Sequence, residues 1–313
     1  MKFDHLFGPV PSRRLGVSLG IDLIPYKTCT LDCVYCECGK TTNLTQERKE
    51  YVAIDEVLKE LKKYLDKKPE LDYITFSGSG EPTLHSEINQ IINFVKENYP
   101  AYKLALLTNG TLFTDKKLRE EVKNVDLIIP SLDSVSQEIF DKINRPHVDL
   151  SITDIIEGLI KLRQIHNGQY WLEVFIIPGL NDTENEIKLM KETIAKIKPD
   201  KVQLNTLDRP GTESWVKPAS KEKLEKISRI LGNNTEIIKT FVSRKKVKSY
   251  KEKTKDKILA TLTRRPCTEK DLAQILGLHI NEITKYLQVL LENNEIKTKK
   301  EKRGTFYYIQ NNS

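Results

Sequence analysis

The sequence contains no apolar run long enough to cross a bilayer, and its opening residues, MKFDHLFGPVPSRR, lack the apolar stretch of a secretory signal. These absences speak against a membrane-spanning or secreted protein, and the expected compartment is the cytoplasm. Cysteine is scarce too: five in 313 residues, with Cys29, Cys33, Cys36 and Cys38 crowded into ten positions and Cys267 alone far downstream. A structural zinc site usually draws its cysteines as two separated pairs, and no second pair exists. A disulfide framework needs an oxidising compartment and a short chain, and neither condition is met.

What is present is an ordinary globular composition, 38% apolar and 30% charged, in a chain long enough for a sizeable core and two domains. The net charge of +7 is unevenly spread. Residues 243–313 hold 17 Lys and Arg against 8 Asp and Glu, which leaves 34 against 36 for residues 1–242, so the basic character belongs to the C-terminal piece.

The stretch YKTCTLDCVYCECGK, residues 26–40, organises the rest. A three-residue gap followed by a two-residue gap lets Cys29, Cys33 and Cys36 face into one loop, where thiolates can hold three corners of an iron–sulfur cube and leave the fourth iron without a protein ligand. An open corner suits a cluster that binds a small molecule directly. Cys38, a single extra thiol in this loop, reads as a bystander. With aromatic Tyr35 just before the last cysteine, the spacing resembles the signature of the radical S-adenosylmethionine (radical SAM) enzymes. That resemblance implies a 4Fe–4S cluster on Cys29, Cys33 and Cys36 whose open iron chelates SAM. One electron, from a donor such as a flavodoxin or ferredoxin, would then cleave the sulfonium to a 5′-deoxyadenosyl radical that abstracts hydrogen.

Around the loop, six short apolar runs, at 17–24, 73–78, 103–110, 126–133, 170–179 and 201–207, alternate with stretches of helical periodicity such as Ile88, Ile91, Ile92 and Val95. Near-continuous apolar strands between helices predict an α/β fold with a parallel sheet covered on both faces. The resemblance implies a partial (β/α)6 barrel of the radical SAM type, with its chemistry at the C-terminal ends of the strands. The second run ends in SGSGEPT, whose Gly78, Ser79, Gly80 and Glu81 look like the family's Gly-Gly-Glu motif for the SAM amino group, with Ser79 where the first glycine would stand. Read without the cysteines, the same stretch is equally a turn. Asn109, Ser131 and Asp133 close the third and fourth runs at positions that the family sets against the SAM ribose and carboxylate, and Asn109 before Gly110 is also a turn former. In the fifth run Ile177 matches an adenine contact, while Pro178 and Gly179 end the strand and Asp182 is placed to cap the next helix. Softer candidates for an anionic substrate are Arg13, Arg14, Lys40, Asp208, Arg209 and Pro210.

The domains are expected at residues 1–240 (catalytic), 241–256 (a basic linker) and 257–313. In the last, Ile258 and Leu262, then Leu272, Ile275 and Leu276, then Ile283, Leu287 and Leu290 mark three helices, followed by a hairpin through IKTKK and GTFYYI. This order resembles a winged helix-turn-helix. Phosphates would meet Lys297, Lys299, Lys300, Lys302 and Arg303, but between Ile280 and Asn293 one lysine faces two glutamates, a poor balance for a helix pressed into an acidic groove. As a whole, the first forty residues look most like archaeal and bacterial proteins related to the tRNA wyosine-base synthases. Those enzymes carry a second cluster, for which only Cys38 and Cys267 remain. The expected function is radical SAM modification of an RNA base or other nucleic-acid-linked substrate. The alternatives are a peptide or protein substrate, or an iron–sulfur sensor controlling DNA binding.

Overall fold

The structure, a computed structural model, describes residues 3–12, 14–25, 27–208, 211–238, 254–278, 283, 286–287, 290–291 and 293–309. Arg13, Arg209, Pro210, nearly all of the basic linker and much of the third C-terminal helix therefore lie outside the described residues.

An open eight-stranded sheet carries the first part of the chain. Its strands are β1 (Leu6–Ser12), β2 (Gly16–Ile21), β3 (Tyr73–Phe76), β4 (Leu104–Thr108), β5 (Leu127–Pro130), β6 (Gln169–Phe175), β7 (Lys201–Asn205) and β8 (Thr235–Ile237), lying side by side in chain order. β1 runs antiparallel to β2, and every later neighbour is parallel. The six expected strands are β2 to β7, each shorter than its apolar run because the glycine and polar residues at its C-terminal end leave the ladder as loop. β1, with Pro9 and Pro11, reads poorly as a strand. It is tolerated at an edge, where one side needs no ladder donors. The sheet stays open, since β8 does not pair with β1.

The crossovers are helical: α1 (Ile54–Leu65), α2 (Ile88–Asn98), α3 (Lys116–Val122), α4 (Gln137–Asn144), α5 (Ile152–Ile165), α6 (Glu184–Ile197) and α7 (Lys221–Leu231). Their apolar stripes, such as Val57 and Leu61 of α1 and Ile88, Ile91 and Val95 of α2, form one core with Leu19, Ile74, Leu104, Leu106, Leu172 and Leu204 of the strands. At the start of α6 it is Thr183, not Asp182, that caps, accepting from the Glu186 N–H at 3.2 Å. Asp182 sits one residue too early and closes the preceding turn by accepting from Gly179 N–H at 2.7 Å. A second apolar cluster, with Leu15, Ala105, Leu127 and Ile129 buried, includes alternate residues of β4 and β5. Beyond it Arg14 pairs with Glu173, whose other oxygen accepts from Asn205 at 2.8 Å. Arg14 is thus committed to a partner within the fold.

The C-terminal residues form a separate apolar cluster around Ile258, Leu272, Ile283, Leu287, Leu290 and Tyr307. Its elements are α8 (Thr254–Arg264), the short strand Cys267–Thr268, α9 (Glu269–Leu276), helical residues between 283 and 291, and the hairpin β9 (Lys297–Glu301) and β10 (Gly304–Tyr308). Thr268 and Asp271 form a reciprocal capping box on α9, and Gly277 ends it in the left-handed conformation. This unit touches the sheet through two ion pairs, Arg264 to Asp22 at 2.8 Å and Arg303 to Asp208 at 3.4 Å. No helix among the described residues is long and apolar enough to cross a membrane.

Candidate active site

The cysteine loop lies at the C-terminal end of β2 and is fastened on every side. Thr28 and Cys29 pair with Asn43 and Leu44, Val34 N–H bonds to the Ile143 carbonyl at 2.9 Å, and Glu213 N–H bonds to the Val34 carbonyl at 3.0 Å. Each of the three expected ligands receives its own side-chain N–H donor. Asn109 Nδ2 approaches Cys29 Sγ at 3.5 Å, Asn144 Nδ2 approaches Cys33 Sγ at 3.4 Å, and Lys27 Nζ lies 3.0 Å from Cys36 Sγ. Cys38 has different surroundings: its single S–H has three acceptors within reach, the Gly78 carbonyl at 3.8 Å, the Arg264 carbonyl at 3.4 Å and the Cys36 sulfur. Three sulfurs are placed as acceptors, as ligating thiolates require, and the fourth as a donor.

The electrostatics follow this division. Burial raises the Cys29 thiol to about 11, and Cys33 is also pushed up. Cys36 is drawn down to about 5, because the Cys38 thiol donates to it and the Lys27 ammonium stands beside it. Lys27 is only 3% exposed. Burial alone would lower its pKa, but the sulfurs of Cys36, Cys29 and Cys38 raise it instead, so its charge persists inside the loop.

The loops after the next strands close on this one. Gly80 has no room for a side chain, since a Cβ there would lie 2.0 Å from the Thr28 carbonyl oxygen, and Glu81 N–H bonds to that same carbonyl at 3.2 Å. The Glu81 carboxylate, 2% exposed, accepts from Thr83 N and Oγ1 and Thr108 Oγ1 on one oxygen. Its other oxygen accepts from Asn109 N at 2.7 Å. Asn109 is the turn former expected, its Oδ1 accepting from Thr111, and its Nδ2 reaches Thr30 and Cys29. Ser131 is half-buried at the end of β5, and among the described residues its hydroxyl has no hydrogen-bond partner. Asp133 is 4% exposed and accepts from Tyr35 Oη at 2.5 Å, Asn144 Nδ2 at 2.8 Å and Phe175 N at 2.9 Å. Burial lifts this carboxyl to about 6. The Tyr35 ring stacks on Phe175 at 3.9 Å. Ile177, 1% exposed, joins Val34, Phe175 and Val216 in one apolar cluster, so its side chain is taken up in packing beneath the loop.

Beside the loop lies a cleft of about 270 Å³, walled by Cys36, Cys38 and Gly39 on one side and by Arg264, Arg265, Lys299 and Tyr308 of the C-terminal unit on the other. Lys40 is exposed. Of the five hairpin cations, Lys297, Lys300 and Lys302 are exposed, Lys299 pairs with Glu301 at 2.9 Å, and Arg303 turns inward to Asp271 at 2.8 Å and to Asp208. Arg303 is therefore held as an internal tie.

An open parallel sheet with three donor-supplied thiols at its mouth defines a class, and the chain belongs to the radical SAM superfamily, whose family profile matches residues 23–191, more than half its length. Within curated proteins it is 35% identical over 279 residues to a UPF0026 protein of Methanocaldococcus jannaschii, covering 87% of this chain and 85% of that one. It is also 35% identical over 299 residues to a Brachyspira hyodysenteriae protein named GTPase Obg, covering 95% of this chain but only 44% of that protein. Among solved structures, a radical SAM methyltransferase from Sphaerobacter thermophilus shares the fold, with TM-score 0.56, 17% identity, and 70% and 66% of the two chains covered.

The cofactors of the superfamily are a 4Fe–4S cluster and SAM, and the residues present fit them. No group of three His, Cys, Asp or Glu among the described residues is gathered to hold a single metal ion. The three sulfurs, each facing a side-chain N–H donor, have the acceptor surroundings that cluster thiolates take. Sequence reading missed Lys27, Asn144 and Asp22. Lys27 was legible as a lysine two residues from the first ligand. Asn144 and Asp22 carry no local signal, because only the folded sheet brings them to the loop.

Proposed function

We propose that the protein is a radical SAM enzyme acting on an RNA base or another nucleic-acid-linked substrate. Cys29, Cys33 and Cys36 would hold the cluster, and the backbone of Gly78, Ser79 and Gly80 with the free hydroxyl of Ser131 would position SAM. Bound there, the cluster and SAM would supply reductive radical chemistry for hydrogen-atom abstraction, drawing one electron from an external low-potential donor such as a flavodoxin or ferredoxin. The observation that carries the radical SAM part of the reading is the division of the four loop sulfurs, three accepting side-chain N–H bonds and Cys38 placed as the donor toward neighbouring acceptors.

The chain's own residues divide the remaining work. Lys27 keeps a positive charge against sulfurs that become anionic on loading. Asp133 we assign to bracing, since its oxygens hold Tyr35 and Asn144 and leave little for a ribose. Glu81 ties β4 to the loop, with its Oε2 accepting only one bond among the described residues. The C-terminal unit we read as a winged helix, on its order of helices and hairpin. Support for a polyanionic substrate comes from exposed Lys297, Lys300 and Lys302 and from Arg265 in the cleft wall.

The test is anaerobic iron reconstitution, reduction by dithionite or a flavodoxin system, and detection of 5′-deoxyadenosine from SAM. The wild-type chain should form it and Cys36→Ala should not. Purification with and without nuclease then addresses the substrate: an absorbance at 260 nm that nuclease removes supports nucleic acid, and a retained protein partner without it overturns that part.

A further inference from the structure

At the SAM-motif loop, Ser79 stands where the family has glycine, and the structure gives that serine a specific partner. Asp22, just past the end of β2, accepts from Ser79 N–H at 3.4 Å on Oδ1 and from Ser79 Oγ at 3.3 Å on Oδ2. A Cβ on Gly78 would lie 2.1 Å from the same Oδ1, so the loop is folded tightly around this carboxylate. Oδ2 has a second donor. Arg264, the last residue of α8, reaches across from the C-terminal unit and places Nη1 2.8 Å from it. Its guanidinium also lies over the Phe7 ring at 4.2 Å, while its carbonyl receives the Cys38 thiol at 3.4 Å. One residue of the second unit thus touches both halves of the site, the SAM-motif loop through its side chain and the cysteine loop through its backbone.

We infer that Arg264 is a positioning residue for SAM, supplied by the C-terminal unit and acting through Asp22 on Ser79. This rests on the SAM-binding reading above. With Arg264 in place, the Asp22 carboxylate is held in one orientation and presents both oxygens to Ser79. With Arg264 removed or its unit undocked, a half-buried carboxylate loses its cation and turns toward water, and Ser79 loses the acceptor that fixes its backbone. The loop then samples conformations that cannot receive the SAM amino group, and apparent affinity falls by the fraction of competent loop. Asp22 accordingly connects cofactor binding to domain docking, the serine hydroxyl adding a bond that glycine cannot make, and by linkage SAM strengthens the docking in return.

The experiment uses the full, reconstituted chain under anaerobic conditions and measures SAM binding by equilibrium dialysis, with the EPR change of the reduced cluster on SAM addition as a second readout. Arg264→Met should raise the SAM Kd roughly tenfold, inside the range of about 5–150-fold usual for coupled sites, and Arg264→Lys should restore part of it. In an Asp22→Ala background, Arg264→Met should have no further effect, because the carboxylate that joins the two is already gone. Hydrogen exchange over residues 258–264 should slow on SAM addition in the wild type and not in Asp22→Ala. Unchanged SAM affinity in Arg264→Met, with α8 still protected from exchange, overturns the inference. So does strict additivity of the two substitutions. A wild-type chain that retains its cluster yet binds no SAM removes the radical SAM reading together with this one, whereas wild-type binding with an indifferent Arg264 removes only this one.

Discussion

Replacing Lys27 by methionine should lower the reduction potential of the cluster, and the size of the change can be bounded from the structure. The ammonium lies 3.0 Å from Cys36 Sγ in a loop where the lysine is 3% exposed, so water screens it little. A hydrogen bond to a charged partner contributes roughly 1.5–3 kcal/mol, which for a one-electron couple corresponds to roughly 60–130 mV. Only part of this distinguishes the reduced from the oxidised cluster, because the thiolate is anionic in both states. We therefore expect a fall of roughly 50–100 mV, toward more negative values, since the lost cation favours the more negative, reduced form. Methionine keeps the length and apolar stem of the side chain, which separates the charge from its packing, and Lys27→Arg should stay near the wild type. The assay is a mediated redox titration followed by EPR on samples matched for iron content. A potential that rises, or that moves by less than about 15 mV, a small fraction of the interaction estimated above, would refute the reasoning.

Three further outcomes follow from the same geometry. Cys38→Ala should keep the iron and sulfide content of the wild type after reconstitution, while Cys29→Ala, Cys33→Ala and Cys36→Ala each lose the intact cluster; elemental analysis and visible absorbance decide it. The raised carboxyl of Asp133, about 6 when folded against an ordinary value of 3.8, binds its proton more tightly in the native state. Its contribution to stability is therefore full below about pH 3.8 and lost as pH rises through about 6, a change of about 3 kcal/mol that Asp133→Asn should abolish. Urea unfolding of the two apo chains at pH 4 and pH 7 measures the difference. Gly80→Ala forces a methyl group against the Thr28 carbonyl, an obstacle in the backbone that cannot rotate away. It should cost about 3 kcal/mol and speed the reaction of the loop thiols with a disulfide reagent, and an unchanged melting temperature would argue against it.

Much of this arrangement was legible because its signals are local. The six parallel strands announced themselves as apolar runs that end in glycine or polar residues, and the three candidate ligands as a spacing. β1 was hidden by its prolines, which an edge strand accepts, and β8 by its length of three residues. Ile177 and Asp133 fell at the right places along their strands, yet an address on a strand does not reveal which way the side chain points. One went into the packing beneath the loop and the other into a hydrogen-bond brace. Arg303 reads from the sequence as a phosphate contact on the hairpin and Arg264 carries no signal of its own, and only the docked unit gives them acidic partners at Asp208 and Asp22.

The donors aimed at the three sulfurs come from widely separated points in the chain: Lys27 in the loop itself, Asn109 after the fourth strand and Asn144 at the end of the fourth helix. A nascent chain with only its first sixty residues made can present thiols to iron, but not the amides that steady them. With the cluster held as proposed, two of its three sulfurs gain their amide donors only once the fourth strand and the fourth helix have joined the sheet. A chain halted midway through folding would be poorly fitted to retain iron.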